Sequence, residues 1–439
     1  MNLEQLLSLL RRKRHSLKNK VLFRFFGLLV VSILIVQCGR NLPTLRNSPV
    51  TLTTLLIAEE VAEWQPFVAE FERTHPHIRI NLVEGPNATD QIEDLYTSSF
   101  LLGNAPYDLV FMDIIWVPKF AAAGWLLDLS ERIPEAELST FLEGDIEGGR
   151  YQGKLYRMPL RSDAGMLYYR SDWLEQIGAE PPETFDELLQ ISKTIQNKGL
   201  SKWGYLWQGK QYEGLVAMFV EILHGYGAFW INPETLEVGL DQPEALQAVN
   251  FLGQTISEGI SPSGVTTYDE EITRRLFQNG EAVLLRNWPY VFRLASEPDS
   301  PIKGKFWIKP MVHAPGKSSG ACQGGWGLGI AKSSSHLESA LEFIKFFTSE
   351  EIQRQYVLAT GYVPSRRGLL NDPTIVTKYP YYPQLLEVLE NTVLRPPIAQ
   401  YSEASDILQR YLSAALTGTM SPENAMKQAT RETQELLKL

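Results

Sequence analysis

Cysteine is nearly absent: Cys38 and Cys322 are the only two in 439 residues, which excludes a disulfide framework and a cysteine-ligated zinc cluster. Histidine is scarce as well. The six (His15, His75, His77, His224, His313 and His336) show no metal-protease spacing, and His75-Pro-His77 reads as the exposed end of a helix, so no metal site is expected. No G-x-S-x-G elbow supplies a hydrolase nucleophile. The run Gly324-Gly325-Trp326-Gly327-Leu328-Gly329 is rich in glycine but lacks the spacing and the lysine of a phosphate loop, and no cofactor of any kind is expected. Positive charge is thin outside the N-terminus. Residues 1–37 hold seven Lys and Arg against one Glu, leaving 34 basic and 50 acidic residues in the remainder. Such a body has no electrostatic attraction for nucleic acid or anionic lipid. Internal repeats and low-complexity tracts are also missing.

What is present is apolar material in quantity. Hydrophobic residues make up 44% of the chain, with 10 Trp, 18 Tyr and 19 Phe, enough for sizeable cores and incompatible with global disorder. At ~100 to 200 residues per domain the length predicts two lobes or three units.

The N-terminus reads as an address. Arg11, Arg12, Lys13, Arg14, Lys18, Lys20 and Arg24 precede an apolar run from Phe25 to Val36, the n-region and h-region of a secretory signal over residues 1–37. Twelve residues are too few to span a bilayer comfortably. The run stops at Ile35-Val36-Gln37-Cys38, which resembles a bacterial lipobox in which Cys38 becomes the lipidated first residue, although Gln37 stands where a small residue is usual. Three readings remain: a lipoprotein, an uncleaved signal anchor, and an ordinary buried cysteine. All three place the body outside the cytoplasm. Residues 39–50 lack apolar periodicity and carry two prolines, so 38–50 reads as a tether.

Thr51 to Ile57 is a β-branched apolar run, Val61, Trp64, Val68 and Phe71 follow at helical spacing, and Ile78, Ile80 and Leu82 alternate: a strand, a helix and a strand. Leu109 to Met112 is a second apolar run, ending at Asp113. Repeated units of this kind predict mostly parallel sheets flanked by helices, with ligands beyond the carboxyl ends of strands, where Asp113 lies. Helical spacing then dominates at Phe185 to Gln196, Leu215 to Leu223 and Pro243 to Glu258, the mark of a second lobe. Short strands at Phe306 to Ile308 and Leu328 to Ile330 suggest a return to the first lobe. The tail closes with helices, one of them opening at Ser421-Pro422-Glu423 with an N-cap serine and a proline in the first turn.

Aromatics beside glycine, proline and carboxylates form the one constellation that carries chemistry. They stand at Trp203 to Gly214, at Arg286-Asn287-Trp288-Pro289-Tyr290, and at Gly324-Gly325-Trp326. Sugar rings present C–H faces that stack on indole and phenol rings, and hydroxyl rims that donate to carboxylates and accept from guanidinium and backbone N–H. Glu60, Asp113, Asp163 and Arg395 are the matching partners. Any one of these aromatics alone is equally well read as core or lobe packing.

From about Thr51 onward the chain resembles the trehalose/maltose-binding proteins of ABC importers, within the family 1 extracellular solute-binding proteins. The resemblance is carried by Phe111-Met-Asp113, Tyr151-Gln-Gly-Lys-Leu-Tyr156, Asp163-Ala-Gly-Met-Leu-Tyr-Tyr-Arg170, Trp207-Gln-Gly-Lys-Gln-Tyr-Glu-Gly-Leu215, Arg286-Asn-Trp-Pro-Tyr290, Gly324-Gly-Trp326 and Arg395-Pro. It implies an α/β, two-lobed periplasmic-binding fold of type II, with lobes at 51–164 plus 306–348 and 165–305 plus 349–439. Hinge crossings are expected near Ala164 to Leu167, Gly304 to Phe306 and Thr348. It implies that Glu60, Asp113 and Asp163 bind hydroxyls, that Arg395 is the sugar-binding arginine, that Trp288 and Trp326 are stacking platforms, that Gly325 is a backbone contact, and that Tyr212 and Tyr290 line the cleft. It implies a monomeric, membrane-anchored receptor that delivers a small neutral α-glucoside of the trehalose, sucrose or glucosylglycerol class to permease subunits with a cytoplasmic ATPase.

Two positions depart from the trehalose binders. Arg161 stands where they carry tyrosine, and Ile92 stands where they carry arginine, so Arg161 enters the candidate site in place of a neutral side chain. Paired carboxylates in a sugar cleft also serve glycoside-acting enzymes, but nothing local marks a protonated acid aimed at a glycosidic oxygen, and no catalytic residue is assigned. Aromatics with carboxylates also cage quaternary ammonium ions, a reading that Arg161 and Arg395 oppose.

Overall fold

The computed structural model describes residues 49–87, 89–103 and 106–438. The expectations for the leader, Cys38 and residues 39–48 of the tether lie outside those residues. No helix among the described residues is long and apolar enough to cross a membrane.

The chain opens with β1 (Val50–Ile57), α1 (Ala58–Thr74), β2 (Ile78–Gly85), α2 (Thr89–Leu101) and β3 (Leu109–Asp113), as the alternation of periods predicts. β1 neighbours β2. It is tied to β3 by the hydroxyl of Tyr96, which donates to Leu55 O (2.8 Å) and accepts from Leu55 N and Phe111 N (3.2 Å each). Further on come β4 (Met158–Ala164), β5 (Met166–Tyr169), α3 (Phe185–Asn197), β6 (Trp203–Leu206), α4 (Glu213–Gly225), α5 (Pro243–Ser257), α6 (Glu270–Gln278), β7 (Ala282–Asn287), α7 (Tyr290–Ala295) and β8 (Trp307–Lys309). The last stretch holds β9 (Ala321–Ile330), α8 (Leu337–Phe347), α9 (Glu350–Thr360), β10 (Val363–Pro364), β11 (Thr392–Val393), α10 (Tyr401–Leu416) and α11 (Pro422–Leu436). Ser421 caps α11 through Asn424 N, as its sequence signature predicts.

Two sheets organise these elements. The first has β9 at its centre, with β4 and then β10 on one side and β3 and β11 on the other. The second has the order β8-β5-β7-β6. The expectation of mostly parallel sheets needs correction, because β9 runs antiparallel to β3 and β4, β10 to β4, and β5 to both β7 and β8. Only β6–β7 and β9–β11 are parallel among these pairs. The reason is the connection between lobes. β4 passes through Gly165 directly into β5 of the other sheet, and β9 comes back alongside it, which makes that pairing antiparallel.

Two expected crossings lie elsewhere. Trp307–Lys309 pairs with Leu167–Tyr169 in the second sheet, so the chain returns to the first sheet between Lys309 and Ala321, not at Gly304 to Phe306. Thr348 marks a corner between α8 and α9, with Ser349 as N-cap of α9. The chain then stays with the first sheet, where Val363 and Pro364 pair with Ser162 and Arg161 and β11 joins β9. It leaves only through residues 394–400 to reach α10, which packs on α4, α5 and α11.

Each lobe has its own apolar centre. In the first, Trp64 stacks on Phe347 (4.4 Å) and meets Phe111 edge-on (5.0 Å). In the second, Trp207, Phe219, Leu252 and Tyr401 belong to one buried cluster. A further cluster containing Ala164, Met166, Ala321, Val363 and Tyr382 runs through the joint. Below the joint, Glu221 and Arg286 form a fully buried pair, and Glu221 also accepts from Cys322 N at 3.1 Å. Gly165 is obligatory beside this pair, since a Cβ there would lie 1.7 Å from the Glu221 carboxylate. The Cys322 thiol is buried and free, pushed up to about 12 by that burial.

Candidate functional site

The joint brings the ends of β3, β4 and β7 together with the middle of β9. Asp113 closes β3 and uses one carboxylate oxygen to accept from Ile115 N at 3.2 Å, holding the turn that follows. Asp163 lies opposite Gly324, and Trp288 follows directly on β7. Asp163 and Trp288 converge at Gly324, where a Cβ would stand 3.1 Å from Asp163 Cβ and 3.3 Å from Trp288 Cζ3, and Asp113 lies opposite Trp326. Glycine at that point is what lets the indole approach the first sheet. Gly325 has φ +131°, and a Cβ would fall 2.7 Å from Arg161 O, so glycine is required there too.

Glu270, at the start of α6, holds two of the aromatics. Its carboxylate accepts from Trp288 Nε1 at 3.3 Å and from the Tyr212 hydroxyl in a short hydrogen bond. Tyr290 is directed elsewhere: its hydroxyl donates to Glu271 at 2.8 Å. Arg395, on the third crossing, donates to Glu213 (2.7 Å) and Gln323 O (3.3 Å) and stands 3.6 Å from Asp113. Glu213 is itself held by Tyr401 and Ser405. Arg395 therefore links a residue of the first sheet to the first turn of α4.

Glu60 sits in the first turn of α1, and Arg161 Nη2 lies 2.8 Å from its carboxylate; both are buried. Burial raises the Glu60 pKa against the opposing pull of Arg161. Asp163, 4.0 Å from Arg161, is pushed up to about 7, first by burial and then by the charges of Asp113 and Glu60, with Arg161 opposing. These carboxylates sit close enough that their ionisation is mutually discouraged.

Trp326 differs from its expected place. It lies in the middle of β9 and not in a turn, 5% exposed, with Phe111 at 4.8 Å and Trp116 edge-on at 5.2 Å. The strand expected at Leu328 to Ile330 extends back through the whole glycine-rich run to Ala321, although glycine usually weakens or interrupts strands. Here their missing side chains let β9 fit between neighbours: a Cβ on Gly327 would meet Met158 O at 2.4 Å, and one on Gly329 would meet Met112 Cε at 2.5 Å. Ile92 is fully buried under Gly85 and takes no part in the site.

Several neighbours carry no sequence motif that would have identified them. Glu270 lies in an acidic run, Tyr362 reaches the site from the loop before β10, and Asp90 opens the first turn of α2. The Asp90 carboxyl, although it retains solvent contact, is pushed up to about 6 by lost hydration and then by Glu213, Glu93, Asp113 and Asp94. Glu213 stood inside a quoted motif without a role assigned. No group of three or more potential metal ligands occurs among the described residues. As assembled, the site offers carboxylate acceptors, an indole and a phenol between two lobes, with both arginines already paired.

Residues 57–354 match the family model described as bacterial extracellular solute-binding protein. A probable ABC transporter-binding protein of Deinococcus radiodurans is 30% identical over 356 residues, covering 79% of this chain and 84% of that one. A maltotriose-binding protein of Pyrococcus abyssi is 26% identical over 319 residues, covering 72% and 66%. Among solved structures, maltose-bound MalE3 of T. maritima superposes with a TM-score of 0.81 at 37% identity, covering 88% of this chain and 100% of that one. A solute-binding protein of Thermotoga lettingae bound with alpha-D-tagatose gives 0.78 at 25% identity, with the same coverage. The architecture these likenesses share is the two-lobed type II periplasmic-binding fold.

Proposed function

The chain belongs to the bacterial extracellular solute-binding proteins, and from that premise we propose that it is the receptor of an ABC sugar importer, taking a small neutral α-glucoside in the cleft between its lobes. The observation that carries this is the meeting of Trp288, Asp163 and Gly324 where the sheets join, with Asp113 nearby. An indole face and ionisable acceptors at that spacing suit a ring with a hydroxyl rim. Trehalose, sucrose and glucosylglycerol form the preferred set, and the ligand is released unchanged to permease subunits with their ATPase. Asp113, Asp163, Tyr212, Trp288, Gly325 and Arg395 are the proposed contacts, with Trp326 contributing from beneath, whereas Glu60 stands behind Arg161 and Tyr290 is turned to Glu271. In this reading Cys38 carries the lipid that holds the receptor at the membrane, which mass spectrometry of the membrane fraction tests.

Calorimetry against trehalose, sucrose, maltose, glucosylglycerol and glucose, followed by product analysis, tests the function. Saturable binding with no released product is expected, and sustained release of glucose overturns it. A second reading has one observation in its favour. Arg161 and Arg395 are each paired with a glutamate, so they no longer oppose a cation among Trp288, Tyr212 and the carboxylates. Displacement of the best sugar by glycine betaine at comparable concentration would favour it.

A further inference from the structure

Arg161 lies across one end of the cleft. Its Nη2 is 2.8 Å from Glu60, its guanidinium carbon is 4.1 Å from the ring centre of Tyr362 and 5.7 Å from that of Trp326, and the residue is 6% exposed. Tyr362 is held in place to receive it, because the Tyr382 hydroxyl donates to Tyr362 O at 3.1 Å. From the other lobe, Arg293 on α7 closes against Gly361, where a Cβ would lie 2.6 Å from Arg293 Cδ. A carboxylate and an aromatic face are the groups that receive a sugar ring. At this end both are covered by a side chain of the protein. The guanidinium is planar, permanently charged and suited to stacking on an aromatic face while pairing with a carboxylate, so it fills the place of a ring and not merely that of a hydroxyl. Two of its N–H groups, at Nε and Nη1, have no protein partner and are buried.

We propose that Arg161 is a length-limiting residue: it occupies the position that a further sugar ring would take over Tyr362, and the bulk of its side chain forms the wall against which the last unit of the ligand ends. The proposal rests on the sugar-binding reading. It restricts the substrate class to glycosides too short to need that place, and it gives a physical role to the long side chain that stands at this position.

Titration of the wild type with methyl α-glucoside, maltose, maltotriose and maltotetraose measures the cost of each added ring. The wild type is expected to lose at least tenfold in affinity at the first ring beyond its best ligand. In Arg161→Ala/Glu60→Gln, which removes the plug without leaving a buried unpaired charge, the long-to-short affinity ratio should rise at least tenfold, whatever the absolute values. Arg161→Met, which keeps the bulk and drops the charge, should keep the wild-type ratio and serves as the control if the double variant folds poorly. An unchanged ratio in a folded double variant, a ratio in Arg161→Met that rises as in the alanine variant, or a wild type that prefers the longest member overturns the proposal. A wild type that binds none of the four, nor trehalose, sucrose or glucosylglycerol, overturns the sugar reading as well, which distinguishes that failure from a failure of Arg161 alone.

Discussion

Ser402 Oγ lies 2.9 Å from Glu93 Oε1 across 309 positions of sequence, and Lys119 Nζ meets the same oxygen at 2.8 Å. Glu93 belongs to α2 of the first lobe and Ser402 to α10 of the second, so this bond exists only while the lobes are together. A hydrogen bond to a charged group contributes ~1.5 to 3 kcal/mol. Ser402→Ala should therefore weaken every ligand by a similar factor, ~10-fold or more, because it raises the free energy of the closed state without touching the cleft. Small-angle scattering with saturating sugar should then show partial closure at concentrations where the wild type is fully compact.

The two tryptophans should behave differently. Trp288→Ala removes a ring at the end of a strand and should weaken binding by at least ~1 kcal/mol, about fivefold, with the melting temperature nearly kept. Trp326→Ala empties a place between Phe111 and Trp116 and should cost ~3 to 5 kcal/mol of stability. Denaturant unfolding alongside calorimetry separates the two outcomes, and equal stability losses would mean that Trp288 is also core.

Binding should depend on pH through Asp163. Its carboxyl is pushed up to about 7, with burial as the largest cause. A carboxyl raised on folding supports the fold fully below its unfolded value, near 4, and withdraws that support as pH rises toward 7. The unliganded protein should accordingly lose stability across that window. Sugar affinity should move in the opposite direction, rising from pH 5 to 8 as the ionised form becomes available to accept from a hydroxyl. Calorimetry over that range tests this, and Asp163→Asn should flatten the profile.

Gly165→Ala should disturb the joint. The added methyl would fall 1.7 Å from the Glu221 carboxylate and 2.3 Å from Arg286 Nη2, groups that are buried and mutually paired. Overpacking of this kind typically costs ~1 to 3 kcal/mol, and displacing a buried pair costs more. Thermal unfolding checks the stability loss, and a melting curve identical to that of the wild type would show that the crossing has slack.

Local period made the helices legible: Pro243 to Glu258 in the sequence became Pro243–Ser257 in the structure, and Phe185 to Gln196 became Phe185–Asn197. Asp113 was legible because a strand end is marked by where its apolar run stops. Strand partnership was not. Trp307–Lys309 has the same local character whichever sheet it joins, and only its pairing with β5 decides. The site divides in the same way. Asp163 and Trp288 stand in motifs, whereas Glu270 and Tyr362 arrive from separate segments and gain meaning only through what they touch. Only Leu328 to Ile330 of the glycine run read as strand, because glycine weakens an isolated strand, whereas close packing from both sides supplies here what its side chains do not.

That packing has a consequence for anyone who would retune the receptor, for instance as a sensor for another solute. Gly324, Gly325, Gly327 and Gly329 offer no side chain to a ligand, and neighbouring atoms crowd the place where one would be added. The part of β9 that borders the proposed cleft is closed to editing. New selectivity has to be introduced through the walls, at positions such as Asp90, Tyr212 and Arg161, whose side chains are not confined to the narrow space between strands.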